Sequence, residues 1–198
     1  MKEYQMSTLT TAKGTLVQDP AIINSLLTGK RAAWLWLPLR IWLGIQWINA
    51  SLHKIGNPAW VETGEAIKGF WTGAVVIPDA GRPAIAFDWY RTFIQTLLNA
   101  EAYRWFGPLV AYGELIVGIA LLLGAFTGFA AFFGALMNWN FMMAGAASTN
   151  PLLLMIAIGL ILAWKVSGHI GADYFLLPWI GTPWGRREKI QSQAGSGV

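Results

Sequence analysis

Four apolar stretches dominate the chain, at about 33–55, 106–123, 129–147 and 151–166. Each approaches the roughly 20 residues that a helix needs to cross a hydrocarbon core ~30 Å thick. Only 124–128 separates the second from the third, and only 147–151 the third from the fourth. Connections this short make antiparallel neighbours. The expected fold is an all-α membrane protein: a four-transmembrane-helix antiparallel bundle with amphipathic helices in a long external loop.

Composition agrees. Charged residues are 12% of the 198, hydrophobic residues 55%, and mean hydropathy is +0.46. A disordered chain needs the reverse balance. A water-facing surface carries roughly 25–35% charged residues. The exterior therefore suits a lipid bilayer. With no Cys, disulfides, thiolate zinc sites, iron–sulfur clusters and dithiol redox centres are excluded. The two histidines, His53 and His169, fall at opposite ends of their spans and cannot clamp one haem. No haem, iron–sulfur or metal site is expected in this chain. The net charge is +4 and the pI about 9.5. The basic residues are scattered and form no basic aromatic motif, so nucleic acid is not an expected partner.

The basic excess instead carries topology. Lys2, Lys13, Lys30 and Arg31 precede the first span, and Lys165, Arg186, Arg187 and Lys189 follow or close the fourth. The long loop holds Lys68, Arg82, Arg91 and Arg104 among five acids. Lys30 and Arg31 abut the first span and predict cytoplasmic termini for a multi-pass protein of the cell membrane. The expected organisation is a cytoplasmic segment over 1–32, a membrane domain over 33–184 with an external cap at about 57–104, and a polar cytoplasmic tail over 185–198. The N-terminus lacks the pattern of a secretory signal. Asp19-Pro20, the apolar Ile22, Ile23, Leu26 and Leu27, and Gly29 predict a short interfacial helix. In the loop, Asn57-Pro58 predicts a helix with Trp60, Ile67 and Trp71 on one face. Residues 78–83 read as a turn cluster. Asp88 is expected to cap a helix with Trp89, Phe93, Leu97 and Ala100 on one side. Tyr103, Trp105 and Phe106 read as an aromatic belt. The loop aromatics are expected to anchor in headgroups rather than line a ligand site.

Polar groups inside spans are costly, about 2.5–3.5 kcal/mol for a central charge. Arg40 lies about 10 Å into the first span, and Glu114 about eight residues into the second, which runs the opposite way. Two readings stand: an Arg40–Glu114 ion pair, or Arg40 snorkelling to the inner surface over a protonated Glu114. The first span carries two polar stripes, Gln46, Asn49 and His53 on one side and Arg40, Gly44, Trp47, Ser51 and Lys54 on the other. Both are expected to touch the bundle. Lys54 reads as an interfacial anchor, and His53 as an anchor or a proton carrier. Gly107, Ala111, Glu114 and Gly118 share one face, as do Gly134, Asn138, Phe141 and Gly145, which permits close helix packing. Asn138 and Asn140 point to different sides, and at least one is expected to hydrogen-bond between helices.

Two motifs carry a family resemblance. Leu39-Arg40-x-x-x-Gly44-x-x-Trp47-x-x-Ala50-x-x-x-Lys54 and Gly113-Glu114-x-x-x-Gly118-x-x-Leu121-x-x-Gly124-x-x-Thr127 resemble the first two helices of the DoxX/DoxD-like membrane proteins. Trp89-Tyr90-Arg91 in the external segment is similar too, and the resemblance covers roughly 33–184. It implies a four-helix membrane protein and family positions at Arg40, Gly44, Lys54, Glu114, Gly118 and Gly124. Some members are the small subunit of a thiosulfate:quinone oxidoreductase, whereas others serve as accessory components of redox systems.

The functional expectation is an integral membrane subunit of a quinone-linked oxidoreductase that oxidises thiosulfate or a similar sulfur anion. Arg40, Glu114 and His53 are its candidate catalytic residues. Asn49, Lys54 and Asn138 are candidate cofactor-binding residues, with quinone as the cofactor. Partners would be the lipid bilayer and other protein subunits. The competing reading is a non-catalytic accessory subunit of a larger respiratory or photosynthetic membrane complex.

Overall fold

The computed structural model describes residues 20–180, together with 9–10 and 16–17. The expected tail over 185–198, with Arg186, Arg187 and Lys189, and the residues Lys2 and Lys13 lie outside the described residues. The described chain is helical apart from a two-residue antiparallel ladder between Leu9–Thr10 and Leu16–Val17.

The short helix α1, Ala21–Thr28, stops at Gly29, where a Cβ would overlap the Ser25 carbonyl. Trp36 Nε1 donates to the Leu26 carbonyl at 2.9 Å and ties α1 to the first long helix. That helix, α2, runs Ala33–Ile55. The cap follows as α3 (Pro58–Val61), α4 (Glu65–Val75) and α5 (Asp88–Asn99). Two more long helices, α6 (Tyr103–Leu123) and α7 (Thr127–Met143), precede α8 (Asn150–Leu162). The described chain closes with α9 (Trp164–Ser167) and α10 (Asp173–Trp179). The cap helices thus sit at one end of the bundle, and α1, α9 and α10 at the other, the terminal end.

Among the described residues one helix, α6, is long and apolar enough to cross a membrane; α8 is equally apolar but has only 13 residues. The third and fourth apolar stretches form shorter helices than expected. Helix α7 stops at Met143 rather than 147, because Gly145 turns away at φ +90° and seats against Ala84 of the cap. Helix α8 breaks at Ala163, where the backbone leaves helical geometry before α9 resumes.

Helix α2 packs chiefly on α6, and α7 on α8; the contact between α6 and α7 is looser. The α2–α6 crossing is nearly backbone on backbone. A Cβ at Gly118 would lie 2.9 Å from the Gly44 carbonyl oxygen and the Ile48 nitrogen. Small residues allow such an approach, as expected for this face. Two hydrophobic cores result. One centres on Leu43, Trp47, Leu121 and Leu160, the other on Ile67, Trp71, Ile85 and Ile94 under the cap.

The cap corrects three expectations. The helix predicted from Asn57-Pro58 is two helices, because Gly64 adopts φ +73° between α3 and α4. The side chain of Asn57 does cap α3, accepting from the Ala59 N–H at 3.0 Å. Asp88 does not cap α5 with its side chain but pairs with Arg91. Helix α5 buries Tyr90 and Ile94, and its Trp89 and Phe93 face outward. Tyr103 leaves the proposed belt too; it is buried under the cap while Trp105 stays exposed.

Gly64 and Gly69 should respond oppositely to alanine. A Cβ at Gly64 would overlap the Tyr103 carbonyl at a left-handed φ, whereas one on Gly69, within α4, meets nothing within 4 Å. Gly64→Ala is expected to lose about 1–3 kcal/mol. Gly69→Ala should gain about 0.5–1 kcal/mol. Unfolding of the protein in mild detergent reads both; shifts of the same sign would contradict this account of the cap.

Candidate functional site

Helix α2 presents one polar stripe to the bundle, not two. Arg40, Gly44, Trp47 and Ser51 are buried, and Lys54 is half-buried. Asn49 and His53 of the other stripe are exposed, and Gln46 is intermediate. The reason is geometric: the close α2–α6 crossing at Gly44 fixes which side of α2 turns inward. Asn49 and His53 are therefore not brought together with the other candidate site residues.

Glu114 pairs with Lys54, not with Arg40. Lys54 Nζ lies 2.7 Å from Glu114 Oε2, and the Glu114 side chain is 1% exposed. This corrects the expected Arg40–Glu114 pair, and it also moves Lys54 from an interfacial anchor to a half-buried partner. Lys54 is two turns further along α2 than Trp47, so the pair sits toward the cap end. Its ammonium also lies 5.2 Å from the ring centre of Trp60 and 5.9 Å from that of Phe141. Such contacts stabilise a cation further when water is excluded. One turn below, Ser51 Oγ donates to the Ala111 carbonyl at 2.8 Å.

Arg40 is used at the terminal end instead. Its Nη1 donates to the Ser167 carbonyl at 3.1 Å and its Nη2 to the Ile170 carbonyl at 2.9 Å. These carbonyls belong to the end of α9 and the turn after it. Gly124 and Gly171 make room for the guanidinium; a Cβ at Gly124 would overlap Nη1. The charge that acts on Arg40 is Asp173, a buried residue that composition and spacing did not single out. Asp173 accepts from the Phe126 N–H at 2.6 Å and the Thr127 N–H at 2.9 Å, and so caps the start of α7 from a distance. Arg40 and Asp173 together fasten α2, the α6–α7 turn and α10. The only trace of Asp173 in the sequence is a single acid after the glycine-containing stretch 168–172.

Asn138 is fully buried on α7, and neither atom of its amide has a hydrogen-bond partner among the described residues. The same holds for Glu114 Oε1 and Trp47 Nε1. Asn140 makes the connection between elements. Tyr90 Oη donates toward its Oδ1 at 3.1 Å and its carbonyl oxygen at 3.0 Å. Burial pushes the Tyr90 phenol up to about 12, so the hydroxyl stays a donor at neutral pH.

The loose α6–α7 contact leaves an apolar groove of about 600 Å³ between these helices and the cap. Phe106, Val117, Ala130, Phe133 and Met137 line it along the bundle. Trp60 and Phe141 line it as well, so the two rings that face Lys54 also form groove wall. A volume of this size falls within the range of small-molecule sites. Neither Trp60 nor Phe141 was a candidate site residue from sequence. By sequence Trp60 reads as a headgroup anchor and Phe141 as packing, because side-chain contacts across helices leave no local pattern.

The Lys54–Glu114 pair should show in double-mutant energetics. Lys54→Met leaves a buried carboxylate without its partner and is expected to lose about 3–5 kcal/mol. Adding Glu114→Leu should recover most of that loss, whereas Glu114→Leu should not rescue Arg40→Leu. Unfolding in mixed micelles of the three single and two double variants gives the values. Additive losses at 54 and 114 would count against the pair. No family model, curated protein or solved structure matches this chain.

Proposed function

We propose that the chain is an integral membrane subunit of a quinone-linked oxidoreductase of the DoxX/DoxD-like kind. The helices α2, α6, α7 and α8 cross the bilayer as an antiparallel bundle. Lys30 and Arg31 hold the termini on the cytoplasmic side, and the cap lies outside. The reading is supported by exposed apolar side chains on every long helix, such as Ile45, Ile116, Phe129 and Met155. Patches of that extent are characteristic of a surface that meets lipid or other helices.

The observation that carries the function is the apolar groove that shares Trp60 and Phe141 with the Lys54–Glu114 pair. A quinone suits it: the groove walls take a flat ring and an isoprenoid tail, and the polar pair lies behind one aromatic layer. A bound quinone accepts two electrons and two protons. In this chain Phe106, Phe133 and Met137 exclude water from the groove. Lys54 places a positive charge behind the wall, where it favours added negative charge, and Glu114 Oε1 is a site that can hold a proton. Asn138 is a buried polar residue of α7, whereas Asn49 and His53, on the exposed face of α2, take no part. A sulfur anion such as thiosulfate supplies the electrons on the outer side through a partner subunit. The accessory reading draws on the exposed Trp89–Trp139 stack, with ring centres 6.4 Å apart, as a surface for other helices.

Topology can be tested directly, since the chain has no native cysteine. In intact cells a membrane-impermeant thiol reagent is expected to label Asp79→Cys and to leave Arg31→Cys unlabelled until lysis. The opposite pattern overturns the orientation. A photoreactive quinone added to the protein in lipid nanodiscs should label α6 or α7, and Ala130→Trp should abolish that labelling. In complexes purified with their partners, Glu114→Gln should lower quinone-dependent thiosulfate oxidation at least tenfold. Labelling outside the groove, or full activity of Glu114→Gln inside a large assembly, would favour the accessory role.

A further inference from the structure

We infer that the bundle core holds an internal water site lined by Glu114 Oε1, the side-chain amide of Asn138 and Trp47 Nε1. The three side chains come from α6, α7 and α2 and are 0%, 0% and 2% exposed. All four of these polar atoms lack a protein partner among the described residues. Buried polar groups are nearly always hydrogen-bonded, and leaving several unmade at one place is costly.

Contacts of their neighbours set the three side chains at similar heights: Gly44 meets Gly118, Gly113 meets Met137, and Trp47 meets Gly134. Trp47 Nε1 lies against Gly134, where a Cβ would come within 3.0 Å. Asn138 is one turn further along α7, and helical side chains lean toward the helix N-terminus, here toward Gly134. On α6, the Ala111 carbonyl is bonded to Ser51, and Gly118 abuts Ile48. Glu114 lies between these two contacts and so faces the 48–51 segment of α2.

The donor set defines the ligand. The indole donates, the carboxylate oxygen accepts, and the amide does both. A cation is disfavoured by the Lys54 ammonium 2.7 Å from the same carboxylate and by the indole N–H. An anion is disfavoured by Glu114 itself. A neutral molecule that both donates and accepts remains, and water is the smallest of that kind. Buried waters typically make about three hydrogen bonds to such groups. Lys54, whose side chain is 17% exposed, links the site to the cap end. The water site does not depend on what the groove binds.

A structure of the full chain in lipid at a resolution that shows waters tests this. One or two peaks are expected within ~2.7–3.2 Å of at least two of the three groups. Direct bonding among Glu114, Asn138 and Trp47 with no peak between them would overturn it. Resonance Raman of the protein in nanodiscs gives an independent reading, as the difference between wild type and Trp47→Phe. The expected spectrum is that of a hydrogen-bonded indole, lost in Asn138→Leu, which fills the site. A free indole in the wild type overturns the inference, and the wild-type spectrum decides even where Asn138→Leu does not fold.

Discussion

A carboxylate cannot stay buried among apolar helices without a partner that is buried with it, and the rest of this bundle is arranged around that demand. Glu114 meets Lys54 across the α2–α6 crossing. The two backbones come close enough because Gly44 and Gly118 oppose each other with no side chains between them. The crossing fixes the rotation of α2, and the rotation decides that Trp47 and Ser51 turn inward while Asn49 and His53 turn out. One contact between glycines therefore sets the polar lining of the whole core.

The terminal end solves a different problem. Helix α7 begins with N–H groups that need acceptors, and the end of α9 and the turn after it leave carbonyls that need donors. Asp173 supplies the first and Arg40 the second. Arg40 is thus a fastening residue, and the ionisable chemistry of the core falls to Lys54 and Glu114. The carbonyl contacts of Arg40 and the Lys54–Glu114 pair hold α2 toward its two ends. The α6–α7 contact is left loose, and there the groove opens.

Much of this architecture was legible in the residues. Apolar runs located α2, α6, α7 and α8; Gly29 and Asn57-Pro58 located a stop and a start. Gly118 and Gly134 were read correctly as close-packing positions. The ends of α7 and α8 were not legible, because Gly145 and Ala163 end those helices through contacts and backbone geometry that hydropathy does not encode. The face of α5 that turns inward was not legible, because Trp89 and Phe93 are as apolar as Tyr90 and Ile94. Which set turns inward depends on what the helix lies against.

By itself the sequence determined that the chain must be helical, that its surface must be largely apolar, and that a few ionisable groups must lie within it. Those are consequences of composition and period, which act residue by residue. Only the tertiary structure decided that Glu114 takes Lys54 and that Arg40 takes the carbonyls beside Asp173. Arg40 and Lys54 lie on the same stripe of α2, so the angular pattern offers Glu114 either cation. The choice is one of height along the helix, and the α2–α6 register, set by glycine contacts on two separate helices, fixes it.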